Sequence, residues 1–539
     1  MRLALTLAAC CLATACAPTA EAPKTETVAT TPDFTAKGMT ARTLPELADA
    51  LSSGKLSSEV LTQAYLDRIE AVDRNGPTLQ SVLSLNPDAL AQAKASDARR
   101  AAGESLGPLD GVPILFKDNI ETLDPVATTA GAYALKDNIT ERDSPLVAGL
   151  RAEGAVILGK TNLSQWANFR SESSVSGWSA LGGQVRNPHM LDRSPCGSSS
   201  GSGAAIAASL AAGAVGTETN GSIICPSNVN GIVGFKPTVG LVSQQHIVPI
   251  SASQDTAGPM TKTVTGAAMM MDAMVLDYPI QDAFGYANRL DASSLNGKRV
   301  GVLRFAQGET VDIQDRFNAA LKGLEAAGAE LVEISEFNSG VENYGQKSYD
   351  VLLYEFKDGL NEYLANAAPA VTSRNLETLI AFNKTNESEM AVFDQSIFDK
   401  AQAKGELTED TYITARDDVQ RGTGVEGIDR LLRENDVDML VSPSGPVASR
   451  IDPINGDVWP SWAGAGYLAA VAGYPHITVP MGDVHGIPIG LSIMGGAGQD
   501  AEILSYGYAF EQATNLRVDP QYLRNAEDRP ELAKALSAK

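Results

Sequence analysis

The chain has few of the residues that bind metals or build disulfide frameworks. Its 539 residues include only four His and five Cys. The histidines (189, 246, 476 and 485) are scattered, with no metal-ligand spacing, so zinc chemistry has no support. Three cysteines fall within the first 16 residues, which leaves Cys196 and Cys225 in the body. Two are too few for a disulfide scaffold. They read as a pair of small buried thiols, with a bridge as the alternative. Basic charge is also short: 42 Lys and Arg against 65 Asp and Glu give a net charge of −23. Without a Lys/Arg stripe, such a surface argues against a nucleic-acid partner. No internal repeat and no second low-complexity linker breaks the body of the chain.

What is present is a globular composition, 44% hydrophobic and 20% charged, with 49 Gly and 27 Pro. That is enough apolar residue for a large core. The N-terminus is set apart. Arg2 precedes an apolar run, Leu3 to Ala15, that is too short to span a bilayer. Ala13-Thr14-Ala15 is a small-residue cleavage site followed at once by Cys16. Residues 1–15 therefore read as a signal peptide of lipoprotein type, with Cys16 the first mature residue and the bearer of a lipid. Ala13 stands where a large aliphatic residue is usual in a lipobox, and the alternative is plain cleavage after Ala15. Residues 16–38, rich in Thr, Ala, Pro and Glu, read as a disordered tether. The expected location is the periplasm, with the membrane met only through the lipid at Cys16.

Short apolar runs predict buried strands at Val112–Phe116, Ala155–Leu158, Val300–Leu303, Met439–Val441, His476–Val479 and Ile489–Ile493. Helical periods lie at 57–70, behind the N-cap residues Ser57-Ser58, and at Asp315–Ala327 and Ala501–Thr514. Strands alternating with helices over the whole length predict an α/β fold, one large domain with a central sheet covered on both faces.

The segment Ser194 to Ser243 is dominated by small residues. Two Ser-bearing Gly turns flank Ala204 to Ala214, which predicts a tightly buried helix. Asn220-Gly221-Ser222 places Ser222 on a loop just before a helix start at Pro226. Small side chains let backbones approach closely and leave N–H groups pointing into a concave site, where they can stabilise a developing oxyanion. Two other matches fail on context. Gly197-Ser198-Ser199-Ser200-Gly201 fits G-x-S-x-G but lacks the preceding apolar strand. Ser52-Ser53-Gly54-Lys55 fits S-x-x-K but lies in a polar turn.

The wording of GSSSGSG (197–203), TETNGSIICP (217–226) and GFKPTVGLVS (234–243) resembles the amidase signature family. So does Gly111-Val112-Pro113-Ile114-Leu115-Phe116-Lys117-Asp118-Asn119 far upstream, and Ser222 stands 24 positions after Ser198, as in the family. Matching phrases run from about residue 44 to the C-terminal GIPIG (486–490) and the helix after it. The phrases SPCGSSSGS (194–202), Leu353-Tyr354-Glu355-Phe356-Lys357 and Leu379-Ile380-Ala381-Phe382-Asn383 are similar to those of the peptide amidase branch. The resemblance implies an amidase signature domain over 39–530, with 531–539 a tail. It implies hydrolysis of carboxamides, peptide C-terminal amides first and aliphatic or aryl amides as the alternative, without metal or organic cofactor. An inactive binding lipoprotein is a third reading, against which the intact Lys117, Ser198 and Ser222 count. In the family pattern Ser222 is the nucleophile, Ser198, on a cis peptide bond, relays its proton, and Lys117 is the base. Backbone N–H groups of Thr219, Asn220, Gly221 and Ser222 form the oxyanion hole. This chain departs from the common T-D-x-G-G-S in carrying Glu218 and Asn220, and it has Ile224 where many members carry Arg. Asp255 reads as structural support.

Overall fold

A computed structural model describes residues 33–275, 285–459 and 461–537. The predicted signal peptide 1–15 and tether residues 16–32 lie outside the described residues. The chain divides into the units Met1–Phe34 and Thr35–Lys539, and every element below belongs to the second.

Among the described residues the strands are, in chain order, β1 (Val82–Leu85), β2 (Pro113–Lys117), β3 (Val156–Thr161), β4 (Trp178–Ser179), β5 (Gly183–Gln184), β6 (Gly213–Glu218) and β7 (Val233–Lys236). They continue as β8 (Thr256–Thr261), β9 (Arg299–Leu303), β10 (Glu330–Ile334), β11 (Met439–Pro443), β12 (His476–Val484) and β13 (Ile487–Met494). Eleven form one sheet in the order β1-β3-β2-β6-β8-β7-β12-β13-β11-β9-β10, while β4 and β5 pair by themselves. β2 runs parallel to both neighbours, β3 and β6. The run β6-β8-β7-β12-β13 is antiparallel. The sheet is therefore mixed. Every residue of β2, β3, β6, β7 and β8 is buried, as when helices cover both faces.

All six predicted strands are present, within three residues of the expected starts. The predicted helices are present too, as Ser58–Arg68, Val311–Ala326 and Asp500–Thr514. Ser57 caps the first, its Oγ accepting from the Val60 N–H at 3.2 Å. The expected helix Ala204–Ala214 is corrected. The helix is Ser200–Ala207, and Ala214 and Val215 belong to β6, opposite Leu115 and Phe116 of β2. Alanine favours helix locally, but pairing on both edges of β6 decides the outcome. The helix expected to start at Pro226 begins at Ile224 and ends at Asn230, with Pro226 its third residue. A missing N–H is harmless in a first turn.

Outside the sheet, the helices Tyr344–Ala365, Leu376–Thr385 and Ser396–Gln402 share a core of Leu353, Phe356, Leu360, Leu379 and Phe398, which also takes Trp166 and Phe169. This helical cluster carries two of the three peptide-amidase-like phrases, Leu353–Lys357 and Leu379–Asn383.

Candidate active site

Lys117 ends β2, the parallel neighbour of β6, so Lys117 and Thr217 lie side by side at the carboxyl ends of two strands. The lysine is fully buried. Its Nζ donates to Ser198 Oγ at 2.7 Å, to Thr217 Oγ1 at 2.8 Å and to the Thr217 carbonyl at 3.2 Å. Burial pulls its pKa from 10.5 down to about 7, against the opposing charges of Asp255 and Glu218. The residues before it on β2, Ile114, Leu115 and Phe116, are buried as well.

Ser198 is also fully buried and follows a cis peptide bond from Gly197. Its carbonyl accepts from the Ser164 N–H at 3.1 Å. The Ser199 N–H donates to the Ser222 carbonyl at 3.1 Å, which ties the two serine segments together. A second tie is covalent: Cys196 and Cys225 are joined in a disulfide. The reading of two free thiols is thereby corrected, because the chain crossing that brings Ser198 to Ser222 also brings the two sulfurs together. The small residues have a steric cause. A Cβ on Gly201 would lie 2.3 Å from the carbonyl oxygens of both Ser81 and Asn162.

Ser222 stands in the turn between β6 and the helix Ile224–Asn230 and is 8% exposed. Gly221 has φ of +83°, and a Cβ built on it meets nothing within 4 Å, so the turn faces open room. None of the N–H groups of Thr219, Asn220, Gly221 and Ser222 donates a hydrogen bond among the described residues. Four free donors on one turn can receive an anionic oxygen. Two carboxylates hold the turn from behind. Glu218 Oε2 accepts from the N–H groups of Ile223 at 2.7 Å and Ile224 at 3.0 Å. The longer Glu side chain thus anchors the start of the helix. Asp255 Oδ1 accepts from Thr219 Oγ1 at 2.5 Å, while its Oδ2 accepts from the N–H groups of Ile250 and Ser251. Burial raises its carboxyl to about 6. The supporting role expected of Asp255 matches these bonds. Ile224 is buried and brings no charge.

Two contributors were not singled out in the sequence. Thr217 holds the lysine, and Asn119 Nδ2 donates to Thr217 Oγ1 at 3.0 Å. Both lie inside the quoted phrases, so the spacing of the motif was the available signal. Ser198, Ser222, Asn119, Thr217, Thr219 and Asp255 line one cavity of about 10 Å³, barely the room of one water. That cavity shares Gln244, Ile247 and Asp255 with a second one of about 460 Å³. Among the described residues, no group of three His, Cys, Asp or Glu side chains is placed to hold a metal ion.

A mixed sheet that brings a buried lysine to Ser198, with Ser222 on the same cavity, is the setting of an amide-hydrolysing enzyme. The chain belongs to the amidase family, whose model, described as Amidase, matches residues 60–504. Among solved structures it is similar to native peptide amidase from Stenotrophomonas maltophilia, at 44% identity and a TM-score of 0.84, over 89% of this chain and 98% of that one. An amidase family protein from Bacillus anthracis is similar at 34% identity and a TM-score of 0.80, over 89% of this chain and 92% of that one. The probable amidase of Arabidopsis thaliana is 36% identical over 89% of this chain and 91% of its own length.

Proposed function

We propose that this amidase removes ammonia from the C-terminal carboxamide of peptides, using Ser222, Ser198 and Lys117. The observation that carries the reading is the unequal size of the cavity at Ser222 and the one adjoining it. The cavity at the two serines fits a group the size of ammonia or water, and the adjoining cavity of about 460 Å³ is within the range of small-ligand sites. A leaving group no larger than ammonia suits the first, and a peptide acyl portion suits the second. The likeness to a peptide amidase supports the same reading.

Ser222 Oγ attacks the carbonyl carbon while its proton passes through Ser198 to neutral Lys117. The carbonyl oxygen, now anionic, is received by the N–H groups of Thr219 to Ser222. The proton returns through Ser198 to the nitrogen, the C–N bond breaks, and ammonia leaves. Water then attacks the acyl ester, giving its proton along the same route, and the peptide acid departs as Ser222 regains its hydrogen.

The same proposal places the enzyme outside the cytoplasm, released from its signal peptide at Cys16 and held by a lipid there. The disulfide between Cys196 and Cys225 supports an oxidising compartment.

Product analysis tests the substrate assignment. A peptide amide should yield equal amounts of ammonia and full-length peptide acid. Shorter fragments from internal cleavage, or hydrolysis confined to non-peptide amides, would contradict it.

A further inference from the structure

The larger cavity beside the catalytic one has an apolar part and a polar end. Ile247, Pro249 and Ala252 face Gly359 of the helix Tyr344–Ala365. A Cβ on Gly359 would sit 3.2 Å from Pro249, so the missing side chain keeps this part open. Gly359, Glu362, Tyr363 and Asn366 follow one another at helical spacing along the same wall.

Four ionisable side chains of differing availability border this space besides the buried Tyr363 phenol: Arg142, His246, Asp255 and Glu362. Arg142 is engaged. It donates to Glu121 through Nε at 2.5 Å and Nη2 at 3.1 Å, and Nη2 also reaches the Asn366 carbonyl at 3.2 Å. His246 is held below its ordinary pKa, first by burial and then by the Arg142 charge, which leaves it neutral at pH 7. Asp255 is half-buried and takes three hydrogen bonds from Thr219, Ile250 and Ser251. Glu362 alone is exposed and has no ion-pair partner among the described residues. An unanswered negative charge therefore overlooks the room proposed for the acyl portion.

We infer that Glu362 is a specificity-determining residue that selects amides carrying a cationic group on the acyl side, above all short peptide amides with a free N-terminal ammonium. The inference rests on the amide-hydrolysing reading above. A peptide whose C-terminus is amidated has lost its carboxylate, so a short neutral sequence carries a single positive charge at its other end. That charge complements the free carboxylate in the groove. The net charge of −23 draws such a substrate toward the protein in the same sense.

The test compares kcat/KM for matched peptide amides with a free or an acetylated N-terminus, together with one small neutral amide. Wild type, Glu362→Gln and Glu362→Lys are assayed at low and high salt. Because Glu362 is exposed, all three should fold alike. Wild type should favour the free amine by about two- to fivefold, the scale of an exposed charge pair. Glu362→Gln should abolish the preference, Glu362→Lys should reverse it, and salt should shrink it. The effect should fall on KM and leave the small neutral amide untouched. A wild-type preference that survives Glu362→Gln, or no preference in wild type, would overturn the assignment. Failure of every amide to react would instead remove the reading on which it rests.

Discussion

At the scale of single residues, the proposed chemistry turns on one side chain. A lysine at its ordinary 10.5 would be protonated at neutral pH and useless as a base, but burial brings Lys117 to about 7. kcat/KM should therefore rise with pH through about 7 and then level off, as the neutral amine fills. Lys117→Ala should lose about 10²–10⁴ in rate and lose that limb of the profile. A wild-type rate and profile in the variant would remove the lysine from the reaction. Stability carries the opposite side of the same shift. Between about pH 7 and 10.5 the unfolded chain binds more protons at this residue than the folded one. Its contribution to stability therefore improves as pH rises through that window and is least favourable below it. Lys117, Ser198 and Ser222 were legible because a motif fixes their spacing. The groups that hold the lysine were less so: Thr217 meets it through the pairing of β2 with β6, and Asn119 in turn donates to Thr217.

At the scale of elements, the turn bearing Ser222 depends on what pins its two ends. Ser199 and Ser222 are joined by one backbone hydrogen bond, and the segments around them by the Cys196–Cys225 bridge over a separation of 29 residues. Closing a loop of that length contributes about 3–4 kcal/mol in the chain-entropy account. The double variant Cys196→Ala with Cys225→Ala should thus unfold at a clearly lower denaturant midpoint than wild type. An unchanged midpoint would show that the bridge adds nothing. This bond was not readable in the sequence, since two cysteines near two turns fit free thiols as well as a bridge until the crossing of the chain is known. The apolar strands β2, β3, β9, β11, β12 and β13 were readable as runs of large side chains. β6, with sequence GAVGTE, was not, because its small residues read as helix and only pairing with β2 and β8 makes it a strand.

At the scale of the whole molecule, alternation of strands and helices gave the α/β class, while the strand order followed from no local pattern. β6 reaches its place between β2 and β8 through long-range pairing, and that pairing assembles Lys117 and the serine turns in one place. The proposed lipid at Cys16 belongs to this scale as well. Cys16→Ala should move the protein from the membrane fraction to the soluble periplasm, and equal solubility of the two would favour plain signal cleavage. The central claim, hydrolysis of a carboxamide by Ser222, is tested most directly by ammonia release from one peptide amide. Wild type and Ser222→Ala are compared as purified, equally folded proteins. Wild type should release one ammonia for each peptide acid formed, and the variant none above the spontaneous rate. Substantial turnover by Ser222→Ala would contradict the account, because it assigns the acylated oxygen to Ser222 alone.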